Sequence, residues 1–298
     1  MITVAAALAA VSCDTPPSPR DPSATAARPL TEPERDLLYD AEQQLTRSCM
    51  TARGFRMWAV PRQPLPEDRD FPYVIGDIQW AARHGYGSDL EARRAQLRAT
   101  DPNQRYFATL SAADQQRAVA AYNGEQSADR LEVRAPNGMT VGRIADGCTA
   151  QAQERLYGDL AAWFRADVVT GALPALRQQQ VAEDGEFKTV VKKWSACMRE
   201  RGMHYTDPYQ ARAAFSDTAA AKTVTAARRR QEVRTAVAEA ECAHDSGLTV
   251  TAQRLDRRYD ARLRDQYRDE VRSRLRLERT ALLRARALLL ATDRSGNR

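Results

Sequence analysis

The chain has 298 residues, of which 43% are hydrophobic and 28% are charged, and its formal net charge at pH 7 is +6. This composition is ordinary for a globular protein. The length is enough for one large domain or two modest ones, and it excludes a protein too small to bury a hydrophobic core. The positive charge is concentrated in residues 228–298, which contain 18 arginines and 11 acidic residues. Such a region favours anionic polymers or lipid headgroups as partners, although a solvated helix face with internal ion pairs has the same composition.

The first thirteen residues have the pattern of a secretion signal. The run "MITVAAALAAVSC" is apolar, too short to span a bilayer, and followed by a tract rich in proline, serine and alanine. The residues at positions 10–12 (Ala-Val-Ser) before Cys13 resemble the lipobox of bacterial lipoproteins. We therefore expect residues 1–13 to be a signal peptide ending in a lipidated cysteine, residues 14–30 to be a disordered tether, and the protein to be anchored outside the cytoplasm.

Two alternatives to a lipid anchor stay open. No basic residue precedes the apolar run, since the first one is Arg20, which suggests a translation start upstream of Met1. Ordinary cleavage of the signal would release a secreted protein, and an apolar terminus of a cytosolic protein has the same composition.

The apolar stretch "TALLRARALLLA" near the C-terminus is interrupted by arginines, so the anchor depends on the lipid alone.

The first helix is predicted from a capping box at residues 31–34, where a threonine and a glutamate flank an early proline. Gly54 supplies the stop, because glycine readily takes the left-handed conformation that ends a helix. The spacing of three and four residues predicts a buried stripe formed by Leu38, Ala41, Leu45 and Cys49.

The middle of the chain is predicted to contain short elements. Residues 61–76 hold four prolines and are expected to be irregular, and residues 77–123 are expected to form short helices. The "HGYG" stretch at 84–87 is too short for a phosphate loop and indicates a helix end followed by a turn. Alternating residues around Asn137-Gly138 predict a β-hairpin whose turn has two positive φ angles, and this is the only sheet expected.

The chain from Asp146 onward is predicted to be helical. We expect a break at Gly171 and Pro174, a long helix ending at Gly247, and a last helix that begins near Thr249. The predicted fold is therefore mainly α: an irregular helical bundle with one small β-hairpin and long C-terminal helices. Two pairs in the last helix have the i,i+4 spacing of ion pairs: Asp260 with Arg264 and Glu270 with Arg274.

A cysteine motif occurs twice, as "SCMTARGF" at residues 48–55 and "ACMRERGM" at residues 196–203. Each copy is followed by a further cysteine, and removing Cys13 from the count leaves an even set. The internal similarity favours two equivalent disulfides within units at residues 31–185 and 186–298, although four cysteines allow three connectivities and a cytosolic protein would keep free thiols. The expected pairs are Cys49 with Cys148 and Cys197 with Cys242.

Four segments resemble motifs of a family of secreted proteins and lipoproteins from actinobacteria. They are "AEQQLTRSCMTARGF", "ARHGYGSDL", "ADGCTAQAQERLYGD" and "WSACMRERGMHY", and the likeness runs over much of residues 35–248. The resemblance implies an extracytoplasmic location, but it implies no particular activity.

The sequence contains no phosphate loop, dinucleotide fingerprint, zinc-protease helix or nucleophile elbow. His204 and His244 follow Cys197 and Cys242 closely, so a disulfide would bring both imidazoles near one point, with Asp207 and Asp245 nearby in sequence. Two histidines and a carboxylate suit a metal or acid–base chemistry. The alternative hypothesis is therefore an envelope metalloprotein or hydrolase that uses this histidine pair.

We expect an extracytoplasmic, lipid-anchored helical protein that serves as a binding or interaction module at the cell envelope, rather than an enzyme. Its expected partners are the membrane, through the lipid on Cys13, and an anionic cell-wall polymer or an envelope protein. No cofactor and no nucleic-acid partner are expected, because acidic residues alternate with the arginines of the last helix and an exported protein rarely meets DNA.

Overall fold

The computed structural model describes residues 28–62, 65–216 and 225–296, which form twelve helices and one two-stranded antiparallel sheet. This confirms the predicted mainly-α fold with one small hairpin. The predicted signal peptide, Cys13 and most of the predicted tether lie outside the described residues. The elements are α1 (Glu32–Ala52), α2 (Ile78–His84), α3 (Ser88–Thr100), α4 (Pro102–Thr109), α5 (Ala112–Asn123), β1 (Arg130–Arg134), β2 (Thr140–Ile144), α6 (Cys148–Tyr157), α7 (Leu160–Glu183), α8 (Gly185–Glu200), α9 (Pro208–Ala213), α10 (Ala226–Asp245), α11 (Leu248–Gln266) and α12 (Arg268–Gly296).

Helix α1 begins and ends as its sequence predicts. The backbone nitrogen of Thr31 donates to Glu34 at 2.9 Å, which completes the capping box. After α1, Gly54 has a φ of +85° and reverses the chain. The predicted stripe is buried at its three apolar positions and half-buried at its cysteine, so this face of α1 packs against the rest of the protein.

The hairpin forms where it was predicted, but its turn differs from the expected one. Strands β1 and β2 pair antiparallel, and the turn closes with hydrogen bonds from Gly138 N to Ala135 O at 2.9 Å and from Ala135 N to Met139 O at 2.8 Å. Only Gly138 has a positive φ, because no described non-glycine residue does, so the prediction of two positive angles was wrong. Pro136 fixes a negative φ at the first central position, and glycine then takes the left-handed conformation one residue after the turn.

Helix α7 contradicts the predicted break, since it runs through Gly171 and Pro174 without ending. A proline inside a helix removes one hydrogen bond and costs roughly 3 kcal/mol. Burial on both sides of it offsets this cost, because Val169, Leu173 and Val181 all lie in the protein interior, where α7 packs on α11 and α12.

The predicted last helix is divided in two at Tyr267. A straight helix over residues 248–296 would be about 70 Å long. The break lets α11 pack on α7 and α8 while α12 packs on α1, α6 and α7. The predicted pair of Asp260 and Arg264 forms at 2.6 Å, but Glu270 pairs instead with a residue of α7, and Arg274 pairs with Asp167 and with the carboxylate one turn later.

The core consists of several apolar clusters. One surrounds the fully buried Trp194 and Met198 and joins α8, α10 and α11, and another joins α1, α6, α7 and α12. The predicted division into units at residue 185 stays a prediction. Helix α10 ends before Gly247 as predicted, and residues 217–224, which the sequence placed in the same helix, lie outside the described residues. Across the described ranges, no helix has the length and apolarity needed to cross a membrane.

Candidate functional site

A cleft of about 690 Å³ opens between α1, α4, α5 and the irregular segment at residues 55–60. Its walls are mainly apolar, and parts of them face solvent: Val119 is 47% exposed and Phe107 is 38% exposed. Ligand pockets in proteins have this size and this character. The apolar wall residues that the argument uses are Met50, Phe55, Met57, Phe107, Val119 and Tyr122.

Local hydrogen bonds position the walls of the cleft. Asn103 of α4 donates from Nδ2 to the backbone carbonyl of Trp58 at 2.9 Å. The backbone nitrogen of Trp58 in turn donates to Oδ1 of Asn103 at 2.8 Å. This two-way contact fastens the irregular segment to α4. Helix α5 is capped by Ser111, whose hydroxyl accepts from the backbone nitrogen of Asp114 at 3.2 Å. Hydrogen bonds therefore hold both the irregular segment at residues 55–60 and the start of α5 in position around the cleft.

The first disulfide lies behind the cleft. Cys49 at the end of α1 is bonded to Cys148 at the start of α6, with their Cα atoms 5.5 Å apart. Cys148 is fully buried and packs in one cluster with Met50, Phe55 and Ala118, all of which also line the cleft. The crosslink thus fixes the back wall of the cleft to the body of the protein.

The cleft carries little charge. Among the described residues that line it there is no acidic side chain, and its cation is Arg56, whose Cζ lies 4.8 Å from the ring centroid of Trp58. The other polar side chains at the wall are amides and tyrosine hydroxyls, namely Gln43, Gln104 and Asn123 beside the engaged Asn103, together with Tyr39, Tyr106 and Tyr122. This arrangement suits an uncharged ligand that is apolar over most of its surface and forms a few hydrogen bonds.

The second disulfide joins Cys197 of α8 to Cys242 of α10, with a Cα separation of 5.7 Å. Both cysteine pairs therefore agree with the pairing that the internal repeat favoured. In each copy of the motif a helix ends in glycine at positive φ, Gly54 in the first and Gly202 in the second. The repeat thus corresponds to two local structures of the same kind.

The histidine pair has no metal-binding geometry. His204 is exposed, and His244 places Nε2 3.1 Å from the carbonyl of Gly76. Asp207 caps α9, and Asp245 lies 3.4 Å from an arginine that follows α8. Within the ranges the structure describes, no three histidine, cysteine or acidic residues are grouped so as to hold a metal. The metalloprotein form of the histidine hypothesis therefore has no ligand group among the described residues, and the hydrolase form stays a prediction.

The "HGYG" stretch encloses a carboxylate that sequence reasoning missed. Glu232 of α10 is fully buried and accepts hydrogen bonds from the backbone nitrogens of Tyr86 at 2.8 Å and Ser88 at 3.3 Å. Arg229 lies 3.1 Å from the same carboxylate and donates to the carbonyl of His84 at 2.8 Å. The glycine-rich turn predicted here is real, and it binds a side chain of the protein itself.

Glu239, two turns further along α10, is also fully buried. It accepts from the backbone nitrogen of Ile75 at 2.9 Å and from the hydroxyl of Tyr86 at 2.6 Å. Burial raises the pKa of Glu239 to about 7, although the hydrogen bonds act in the opposite direction. The sequence contained one signal of this burial. Glu232 and Glu239 are seven residues apart on an alanine-rich helix, and residues i and i+7 lie on the same side of a helix.

No protein family model, no curated protein and no solved structure matches the chain. The resemblance to actinobacterial secreted proteins therefore stays a prediction. The two disulfides fit an extracytoplasmic protein, because such bonds persist in oxidising compartments.

Proposed function

We propose that the protein is an extracytoplasmic, lipid-anchored binding module whose cleft takes an uncharged, largely apolar small molecule. The cleft between α1, α4 and α5 is the observation that carries this proposal. Its volume of about 690 Å³ holds a drug-sized molecule, and its lining combines apolar walls with a few amide groups.

The exposure of the walls supports a binding role. Large apolar side chains that stay open to solvent in one connected patch mark interaction sites in soluble proteins. Val119, Phe107 and Tyr122 are 47%, 38% and 36% exposed, and all three line the cleft. The absence of acidic groups among its described lining residues favours an uncharged ligand over a cation.

The proposed location rests on the N-terminal sequence and on the disulfides. Cys13 follows an apolar run at the position of a lipidated cysteine, and the other four cysteines are paired. Two disulfides suit a protein that functions outside the cytoplasm. A lipid on Cys13 would hold the cleft near the outer surface of the membrane, where apolar molecules partition.

Titration with the neutral fluorescent probe N-phenyl-1-naphthylamine tests the cleft. We expect saturable binding of one probe per chain, with a Kd on the order of 10 μM for a ligand of this size. Fluorescence that rises without saturation, or that does not rise, would contradict the proposal.

Labelling with a radioactive fatty acid in the native host tests the anchor independently of the cleft. The wild-type protein is expected to incorporate label, and a Cys13→Ser variant is expected to lose it. An unlabelled wild type would remove the lipid anchor from the account and leave the binding module in place.

A further inference from the structure

The outer face of α12 is a surface that the cleft does not use. The inner side of this helix is buried against α1, α6 and α7 through Leu277, Ala281, Leu282 and Ala285. On the opposite side, the outer face of α12 is defined by five exposed side chains: Arg272, Arg276, Arg279, Leu283 and Leu290. Their spacings of four, three, four and seven residues place them in one stripe along the helix.

Arginines of α11 and α12 differ in whether they have a carboxylate partner. Within the part of the chain that the structure describes, Arg272, Arg276 and Arg279 form no ion pair. Other arginines of α11 and α12 pair with carboxylates, and these are Arg254, Arg258, Arg264, Arg268, Arg274 and Arg286. The outer face of α12 therefore presents three arginines without a salt bridge within about two turns of helix, with the exposed Asp269 one turn before the first of them.

The two leucines continue the stripe towards the C-terminus. Leu283 is 64% exposed and Leu290 is 61% exposed, which is high for side chains of this size on a packed helix. Basic side chains next to exposed apolar ones suit the surface of an anionic membrane, where guanidinium groups meet phosphates and leucines can enter the interface. A soluble polyanion would use the arginines but would offer nothing to the leucines.

The beginning of the described chain lies next to this helix. Leu30 packs in the same cluster as Leu277 and Ala281, and Glu34 lies 3.9 Å from Arg286. The first described residues therefore lie beside α12. A lipid at Cys13 would bring this side of the molecule close to the membrane.

We infer that the outer face of α12 binds anionic lipid headgroups, with Arg272, Arg276 and Arg279 on the phosphates and Leu283 and Leu290 in the interface. The inference rests on the proposed location for its choice of membrane, but the surface itself is independent of Cys13 and of the cleft. Each arginine close to an anionic bilayer contributes a several-fold increase in binding.

Vesicle co-sedimentation of the full chain carrying Cys13→Ser tests the inference without the lipid anchor. We expect it to bind vesicles of phosphatidylglycerol and phosphatidylcholine, to bind phosphatidylcholine alone weakly, and to lose binding in high salt. The outer-face variant Arg272→Glu/Arg276→Glu/Arg279→Glu is expected to bind at least about tenfold more weakly. The matched control Arg105→Glu/Arg199→Glu/Arg257→Glu changes the net charge equally at exposed arginines on other helices and is expected to stay close to the parent.

Substitution of the two leucines distinguishes binding to a lipid surface from binding to a soluble polyanion. Leu283→Ser/Leu290→Ser is expected to bind the anionic vesicles about tenfold more weakly while binding inorganic polyphosphate as the parent does. Equal binding of the outer-face variant and its control would overturn the inference. A leucine variant with unchanged vesicle binding would also overturn it, and would assign the arginines to a soluble anionic polymer. Failure of the cleft or of the anchor alters neither result, since every variant here lacks Cys13 and keeps the cleft residues.

Discussion

The hydroxyl of Tyr86 donates a 2.6 Å hydrogen bond to Glu239, a carboxyl group with no exposed surface. The backbone nitrogen of Ile75 donates to the other oxygen at 2.9 Å, and burial raises the pKa of Glu239 to about 7. Arg212 acts in the opposite direction on Glu239, and burial, followed by the charge of Glu239, raises the pKa of Tyr86. The core therefore contains a carboxyl group that titrates near neutral pH.

A Glu239→Gln substitution should alter how stability depends on pH. The folded protein keeps a proton on Glu239 that the unfolded chain releases above its ordinary pKa of 4.5. The free energy of unfolding therefore falls as the pH rises from about 4.5 to about 7. Because glutamine does not titrate, the wild type should lose about 3 kcal/mol relative to the variant across this window. Urea unfolding at pH 5 and at pH 8 measures the difference.

Glu200→Gln serves as the control for this experiment, because Glu200 is an exposed glutamate on α8. Its stability should follow that of the wild type at both pH values. The buried carboxyl is not the group that titrates if the free energy of unfolding of Glu239→Gln changes between pH 5 and pH 8 as much as that of the wild type, or falls further.

The two disulfides should contribute similar stability but different effects on the cleft. Their partners are 99 and 45 residues apart in sequence, so in the chain-entropy model they stabilise the fold by about 5 and about 4 kcal/mol. Cys49→Ala/Cys148→Ala should in addition weaken binding of the neutral probe, because that bond fixes the back wall of the cleft. Cys197→Ala/Cys242→Ala should leave probe affinity near the wild-type value. Urea unfolding and probe titration are measured on the same samples, and equal loss of affinity in both variants would argue against the wall role.

Two glycines should respond to alanine in opposite directions. Gly171 lies inside α7 with open space around it, so Gly171→Ala should raise the free energy of unfolding by about 0.5–1 kcal/mol. Gly147 has a φ of +92°, and a Cβ there would lie 2.3 Å from the backbone nitrogen of Gly124. Gly147→Ala should therefore destabilise the protein, which thermal unfolding will show. If Gly171→Ala lowered the free energy of unfolding as Gly147→Ala does, the result would contradict a continuous helix with open space at Gly171.

The sequence predicted the features that depend on local chemistry. The capping box before α1, the stop at Gly54 and the hairpin at Asn137-Gly138 all depend on a few neighbouring residues, and each is present. The disulfide pairing was also accessible, because the repeated motif supplied long-range information that periodicity does not contain.

The features that were missed depend on tertiary packing. Helix α7 passes through Pro174 because its neighbours bury the turns on either side, and the break at Tyr267 lets α11 and α12 pack on different sets of helices. The buried Glu232 and Glu239 were missed because a charged residue in a helix is usually exposed. The cleft was missed because its walls come from three helices separated by up to eighty residues.

A matched pair of substitutions tests the cleft most directly. Val119 lines the cleft and is 47% exposed, whereas Val250 of α11 is 66% exposed and lies outside it. Because both side chains are exposed, we expect either position to accept a larger side chain without disturbing the core, and unchanged thermal unfolding verifies this for each variant. Only the tryptophan at position 119 would occupy the space that the ligand needs.

The deciding measurement is the Kd of N-phenyl-1-naphthylamine for the wild type, Val119→Trp and Val250→Trp. We predict that Val119→Trp weakens binding by about tenfold or more while Val250→Trp binds as the wild type does. Equal affinity of all three proteins would contradict a ligand site between α1, α4 and α5.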